Sequence, residues 1–382
     1  MKCVHIADTH LGLSAFNKLD PESGMNLRER LVYDNFLAAT RRILEERPDA
    51  IVHAGDLFHM VKPKTRAYTT VLAALDLIRD AGVPLILIAG NHSMTKTRYT
   101  QSPFAVLEYH GAEVHAAYRY RYEMVECGDT RFHLIPNMLD PAGYRHAFDD
   151  IRIDPSSQNV LVTHGLASML KDHRLNTVAE HEIDAAMISD AFDYIALGHY
   201  HGQVQVAPNA WYSGSIEHCT YGEIDDTKGG LVVDTVSGRA EHLSLPKTPM
   251  LNLGTISCEG MSAMEAAESV AKRLEGITAE HAMAQITLKG LNREMQRQIA
   301  RSGMRESTRA LLDLRIRVES VEEERTRFAG DDLRRIDFAE EFRRFVQEKH
   351  LPAGIEEYAL KKGFETLTLA MQRQTEADDA SE

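Results

Sequence analysis

Five short polar motifs stand in a fixed order over the first 201 residues, and each directly follows an aliphatic or β-branched run: Asp8-Thr9-His10, Gly55-Asp56-Leu57-Phe58-His59, Gly90-Asn91-His92, His164-Gly165 and Gly198-His199-Tyr200-His201. The runs, Cys3 to Asp8, Ala50 to Asp56, Pro84 to Gly90, Asn159 to Gly165 and Tyr194 to Tyr200, read as strands. Helix-period segments, Arg28 to Glu46 and Lys64 to Asp80, separate the first three. Strands alternating with helices predict an α/β layered domain. In such a domain the carboxyl ends of the strands gather on one edge, where functional groups are presented. Further strands are expected at Phe132 to Pro136, Trp211 to Gly214 and Gly230 to Val236, giving a β-sandwich flanked by helices.

Gathered on one edge, the motifs offer two aspartates, an asparagine carbonyl and several imidazoles, with no thiolate. A mixed nitrogen and oxygen set suits manganese, iron or zinc rather than an iron–sulfur cluster. Residues i and i+2, as in Asp8/His10 and His199/His201, reach one site when the chain turns at a strand end. Gly55, Gly90 and Gly198 permit close backbone approach there. The donors suffice for two ions sharing a bridging carboxylate. Histidine is concentrated to match: 15 of 18 lie within residues 1–218. His5 and His53 fall inside strands and are read as packed residues.

Composition narrows the remaining choices. A chain of 382 residues with 43% hydrophobic and 26% charged residues is an ordinary globular protein of two or three domains. Its net charge of −14 excludes a general nucleic-acid coat, so a polyanion must be met locally. Residues 60–121, with eight bases against four acids, offer one place. The alternation Tyr118-Arg119-Tyr120-Arg121-Tyr122 reads as a half-buried strand. Four scattered cysteines suggest neither a disulfide framework nor a cysteine metal site. The longest apolar stretches, such as Leu85 to Ala89, fall far short of the ~20 residues a membrane helix needs. With no secretory signal near Met1, a cytoplasmic location and no membrane partner are expected.

After Pro246 and Pro249 a second, α+β unit is predicted: a strand over Met250 to Cys258, a helix over Ser262 to Leu274, a strand over Ala282 to Lys289, a helix over Leu291 to Ala300 and a strand over Leu312 to Val321. The charged stretch Glu319 to Arg335 reads as a linker. Two amphipathic helices follow, one with the stripe Phe338, Phe342, Phe345 and Val346 and one with Leu360, Phe364, Leu367 and Met371. They pack on each other or their own globule, or they dock a partner. The expected domains are therefore 1–246, 250–325, 334–373 and a disordered tail at 374–382.

The ordered motif set resembles the calcineurin-like metallophosphoesterase superfamily. Asp56-Leu57-Phe58-His59 and Tyr212-Ser213-Gly214-Ser215-Ile216-Glu217 are similar to segments of its double-strand-break-repair nucleases, the SbcD and meiotic-recombination-eleven type. The resemblance implies one metal held by Asp8, His10, Asp56 and His201 and a second by Asp56, Asn91, His164 and His199, with manganese expected. It implies that His92 contacts the scissile phosphate and that His59 lies near it. It implies a 3′-to-5′ exonuclease on duplex ends and an endonuclease on single strands or hairpins. The second unit resembles the family's capping domain, and the C-terminal helices resemble its docking region for an SbcC-type coiled-coil ABC ATPase; a homodimer is also implied. The chain departs from the pattern at Ser93, where the family commonly has an acid. A phosphatase or small-molecule phosphodiesterase of the same superfamily, or a weakly catalytic DNA-end scaffold, is the alternative. Leu57-Phe58-His59 lacks the arginine motif that the phosphoprotein phosphatases have there.

Overall fold

The computed structural model describes residues 1–95, 97, 100–170, 182–291, 295, 298, 299, 308–319, 342, 343, 346 and 354–364. The first half contains β1 (Lys2–Ile6), α1 (Leu27–Glu45), β2 (Ala50–His53), α2 (Thr65–Ala81), β3 (Leu85–Ile88), β4 (Val114–Ala117), β5 (Glu123–Cys127), β6 (Thr130–Ile135), α3 (Pro141–Asp149) and β7 (Gln158–His164). There follow β8 (Leu166–Ala167), β9 (Glu182–Ile183), β10 (Tyr194–Gly198), β11 (Val204–Ala207), β12 (Ala210–Tyr212), β13 (Gly230–Asp234) and β14 (Arg239–Leu243). Last come β15 (Met250–Ser257), α4 (Ala263–Leu274), β16 (Met283–Lys289) and β17 (Asp313–Glu319).

Two six-stranded sheets, ordered β14-β13-β1-β2-β3-β4 and β11-β12-β10-β7-β6-β5, form a sandwich. Strand alternation sorts their side chains. Cys3, Val52, Ile86 and Ile88 meet Phe132, Leu134, Val162 and Ala196 between the sheets. Val4, Ile6, Ile51 and Leu87 face outward under α1 and α2. Helix α1 presents Val32, Phe36, Ala39 and Ile43 to that layer at near-helical spacing, and Asn26 caps it by accepting from the Glu29 amide. The outer face of the second sheet packs Leu161, Ile195 and Leu197 against Tyr144 and Ala147 of α3. Each fully buried aliphatic side chain contributes roughly 1.5 to 3 kcal/mol, enough to fix the register of every strand. His5 and His53 are buried within β1 and β2 as expected, His5 bonded to the Tyr194 hydroxyl (2.9 Å) and His53 to Thr9 Oγ1 (3.0 Å).

Parallel strands β1, β2 and β3 end beside one another, and so do β7 and β10 in the facing sheet. This aligns all five motif-bearing ends. The stretch Tyr118 to Tyr122, by contrast, is a bend joining β4 to β5 rather than a strand, with Tyr120 at φ 29°. Tyr118 is anchored by the Glu108 carboxylate and Tyr120 by the Thr95 carbonyl, so hydrogen bonds to partners 10 and 25 residues away override the alternation.

The third sheet, β15-β16-β17, is wholly parallel and packs Ile256, Ile286 and Leu288 against Ala266, Val270 and Leu274 of α4. It joins the sandwich through Leu27, Met283 and Leu312, with the Tyr221 hydroxyl donating to Asp313 (2.7 Å). Compact units span Met1–Glu319 and Ser320–Glu382. In the second, residues 354–364 are helical and the Phe342 ring meets Phe364 edge-on at 5.8 Å. Most of the expected helix Leu291 to Ala300, the linker Glu319 to Arg335, Phe338, Phe345, Leu367, Met371 and the tail 374–382 lie outside the described residues. Among the described residues no helix is long and apolar enough to cross a membrane.

Candidate metal centre

The strand ends deliver their polar groups by bending sharply. Asp8 (φ 52°), His10 (φ 46°), Asp56 (φ 54°) and His199 (φ 100°) all occupy the left-handed region that non-glycine residues avoid. Each such conformation costs on the order of 1 to 3 kcal/mol and persists only where the surroundings enforce it. The enforcement is visible as backbone hydrogen bonds from Asp8 N to Gly55 O and from His10 N to Asp56 O, both 3.0 Å. The three glycines are needed sterically. A Cβ on Gly55 would collide with the His164 ring, one on Gly90 with the Asp56 carboxylate, and one on Gly198 with the Ala54 carbonyl.

All seven expected ligand residues meet on this edge in two overlapping groups. In one, ligand atoms of Asp8, His10 and Asp56 lie within 4.8 Å of one another, and His10 Nε2 is 3.1 Å from His201 Nε2. In the other, Asn91 Oδ1 lies 2.9 Å from His164 Nε2 and 3.2 Å from His199 Nδ1. Asp56 Oδ2 stands between the groups, 3.9 Å from His10 Nε2 and 3.4 Å from His164 Nε2. Donors sharing one ion at bonds near ~2.1 Å are separated by roughly 3.0 to 3.4 Å, so this spacing fits divalent cations.

The electrostatics are those of a site built around charge. Burial pushes Asp8 up, against the pull of His164 and His201. Burial would also raise Asp56, but His164, His10 and His92 outweigh it and hold that carboxyl well below its usual range. His10 is driven well down by burial, and His59 is lowered by burial and by His92. Burial opposes protonation of His164, yet Asp56 wins and raises it. A cation bound here would replace these opposed shifts with one dominant field.

Exposure grades from Asp8, His10, Asp56 and His164, all buried, through half-buried Asn91, His199, His201 and His59 to exposed His92 at the mouth. His59 and His92 stack at 5.3 Å, and the His92 Nδ1 lies 3.1 Å from the His59 carbonyl oxygen, to which it donates. That carbonyl orients the ring beside Ser93. Ser93 is fully buried, and its hydroxyl has no hydrogen-bond partner among the described residues.

Several residues at the centre were not foreseen. Glu223 Oε1 accepts from His201 Nδ1 (3.1 Å), fixing which nitrogen faces the site. Lys228, buried, donates to Glu223 (2.7 Å), to the His201 carbonyl (2.8 Å) and to Ser215 Oγ (3.0 Å). Cys219 stands with His10 and His201, their ligand atoms within 4.8 Å of one another. Glu217 of the Gly-Ser-Ile-Glu segment is structural: it pairs with buried Arg28 (2.8 Å) and accepts from the Thr248 amide. These residues come from a charged stretch whose composition looks solvated, and irregular spacing hid them. Of the bases in 60–121, Arg79 pairs with Asp76 and Asp80, Arg119 with Glu108 and Lys64 with Glu29.

The chain is 25% identical over 268 residues to the DNA double-strand break repair protein Mre11 of Methanococcus maripaludis, covering 65% of this chain and 66% of that one. It is 30% identical over 247 residues to the Methanopyrus kandleri protein of the same name (60% and 51%) and 35% identical over 108 residues to that of Methanocaldococcus jannaschii (28% of each). It thus spans two thirds or less of the length of these relatives. The model of the calcineurin-like phosphoesterase family matches residues 1–203, which carry all five motifs, and the chain belongs to that family.

Proposed function

We propose that this chain is a two-metal DNA nuclease of double-strand-break repair, using manganese. The observation that carries the reading is the Asp56 carboxylate, shared between two groups of nitrogen and oxygen donors. Asp8, His10, Asp56 and His201 hold one ion, and Asp56, Asn91, His164 and His199 the other. When bound, such a pair supplies an activated water and clamps the attacking and leaving oxygens at phosphorus. The chain's own residues do the rest. Glu223 and the Ala54 carbonyl, the latter 2.8 Å from His164 Nδ1, orient the imidazoles. His92, with Nδ1 committed to the His59 carbonyl, has Nε2 left to pass a proton to the leaving oxygen. His59 stacks behind it and keeps the ring upright against the phosphate.

The relatives named for double-strand-break repair favour DNA over a small ester. With DNA ends and single-stranded or hairpin DNA as substrates go a second copy of the chain, the 250–325 unit as a cap over the DNA, and an SbcC-type ATPase bound at 334–373. The Phe342–Phe364 contact supports the two tail helices packing on each other. That leaves Ile355 and Tyr358, 55% and 65% exposed and three residues apart on one helix, as the apolar surface for the ATPase.

The test offers the full chain with manganese a labelled duplex and p-nitrophenyl phosphate esters. Duplex cleavage is expected; turnover of the small ester alone would sink the nuclease reading. His92→Ala should lower cleavage about 100- to 10,000-fold while manganese and DNA still bind. A DNA-end scaffold would lose nothing measurable.

A further inference from the structure

We propose that Cys219 gives the half-site around His10 and His201 a soft donor, so that this half-site also takes thiophilic divalent ions, zinc and cadmium, and holds them more tightly than its nitrogen and oxygen donors alone would. The inference rests on the metal centre proposed above and adds a selectivity-determining residue to it. Ligand atoms of His10, His201 and Cys219 all lie within 4.8 Å of one another, and the two imidazole nitrogens are 3.1 Å apart.

The sulfur is positioned by a built network. One carboxylate, Glu223, takes the His201 ring on Oε1 (3.1 Å) and the Cys219 amide on Oε2 (3.0 Å), so histidine and cysteine are registered to each other. Lys228, buried, pins that carboxylate from behind at 2.7 Å. Two residues before the cysteine, the Glu217–Arg28 pair anchors the same segment at 2.8 Å. The Cys219 thiol touches the Glu217 carbonyl at 3.9 Å and the His201 side chain, so an ion bound at His201 lies within its reach.

Two imidazoles and a thiolate form a donor set that zinc fills well. Coordination is proton-balanced and involves no redox change. The Cys219 S–H bond breaks, a sulfur–metal bond forms, and the proton leaves to solvent.

Cobalt(II) is the probe, because a thiolate bound to it absorbs in the near ultraviolet while its d–d bands in the visible report binding by any ligand. The full wild-type chain should show both, and Cys219→Ser and Cys219→Ala should keep the visible bands and lose the near-ultraviolet one. Zinc affinity should fall at least about tenfold in both variants, with manganese affinity changed less than about threefold. Visible bands without near-ultraviolet absorption in the wild type, absorption that survives both substitutions, or unchanged zinc affinity would overturn the role of Cys219 alone. Absence of cobalt binding to the wild type, or visible bands that persist in Asp56→Asn, would overturn the metal centre itself.

Discussion

Strands β1, β2 and β3 and strands β15, β16 and β17 are both parallel sets with helices packed on them, yet their carboxyl ends have opposite fates. The first set runs into glycines and polar residues with left-handed backbone, and its carboxylates and imidazoles point at one another. The second set ties its ends together: the Cys258 amide donates to the Lys289 carbonyl, the Gly290 amide to the Glu319 carbonyl, and Lys289 pairs with Glu319 at 2.8 Å. One edge therefore spends stability to place ligands, and the other satisfies itself. A parallel sheet makes a site available; strained, glycine-relieved ends make it chemical.

The largest way to break this contrast is a methyl group. Gly198→Ala drives a Cβ into the Ala54 carbonyl and to 2.9 Å from His164 Nδ1, severing the bond that orients that imidazole. A loss of roughly 2 to 3 kcal/mol is expected together with weakened manganese binding. Gly276→Ala, with nothing within 4 Å of its Cβ, should leave both unchanged. Calorimetric melting with a manganese titration checks the pair. Equal behaviour of the two variants would mean that the strand ends are no tighter than the rest.

A middle-sized effect should come from pH. Burial lowers the His5 imidazole to about 3 and His53 to about 4, so both stay neutral in the native protein well below 6.5. Below 6.5 the unfolded chain binds protons that the native one refuses. Unfolding free energy should therefore fall with pH, by up to about 1.4 kcal/mol per unit for each imidazole, until about 4 for His53 and 3 for His5. Denaturant melts of the chelator-treated chain between pH 7.5 and 4.5 measure this slope, and His53→Gln should make it shallower. An unaltered slope would assign the acid sensitivity to other groups.

Much of this was legible because the informative features were local. A strand, a glycine and a ligand within four residues need no tertiary knowledge, so Asp8, Asp56, Asn91, His164 and His199 could be placed together from order alone. The helices α1 and α2 were legible from Val32-Phe36-Ala39-Ile43 and Val71-Leu75-Ile78 spacing. Residues whose role is created by distant partners were hidden. Arg28 is one more helix arginine until Glu217, 189 positions away, takes it out of solvent. Lys228 and Glu223 look like surface charges until the His201 carbonyl and ring are brought to them. Cys219 reads as an isolated thiol in the sequence because its neighbours in space are two distant or unpatterned histidines, His10 and His201, and not another cysteine. The Tyr118 to Tyr122 alternation also depends on partners elsewhere in the chain: the hydroxyls of Tyr118 and Tyr120 find acceptors 10 and 25 residues away, at Glu108 and Thr95, and the stretch bends.

The smallest expected effect sharpens the contrast from the other side. Helix α4 opens with a reciprocal cap: the Glu265 amide donates to Ser262 Oγ (3.3 Å), and the Ser262 amide donates to the Glu265 carboxylate (2.7 Å). Ser262→Ala removes one half of that exchange and should cost about 1 kcal/mol, lowering the melting temperature by roughly 2 °C. Because β15 to β17 close on themselves, this loss should be felt by Val270 and Leu274 against Ile286 and should go no further. Hydrogen exchange should rise in α4 and stay unchanged at β1, β2 and β10, with manganese affinity as in the wild type. If a frayed α4 instead loosened the strand ends 60 or more residues away, the two edges would have to be one cooperative structure, joined through Tyr221 and Asp313, and the self-satisfied sheet would be part of the site's support.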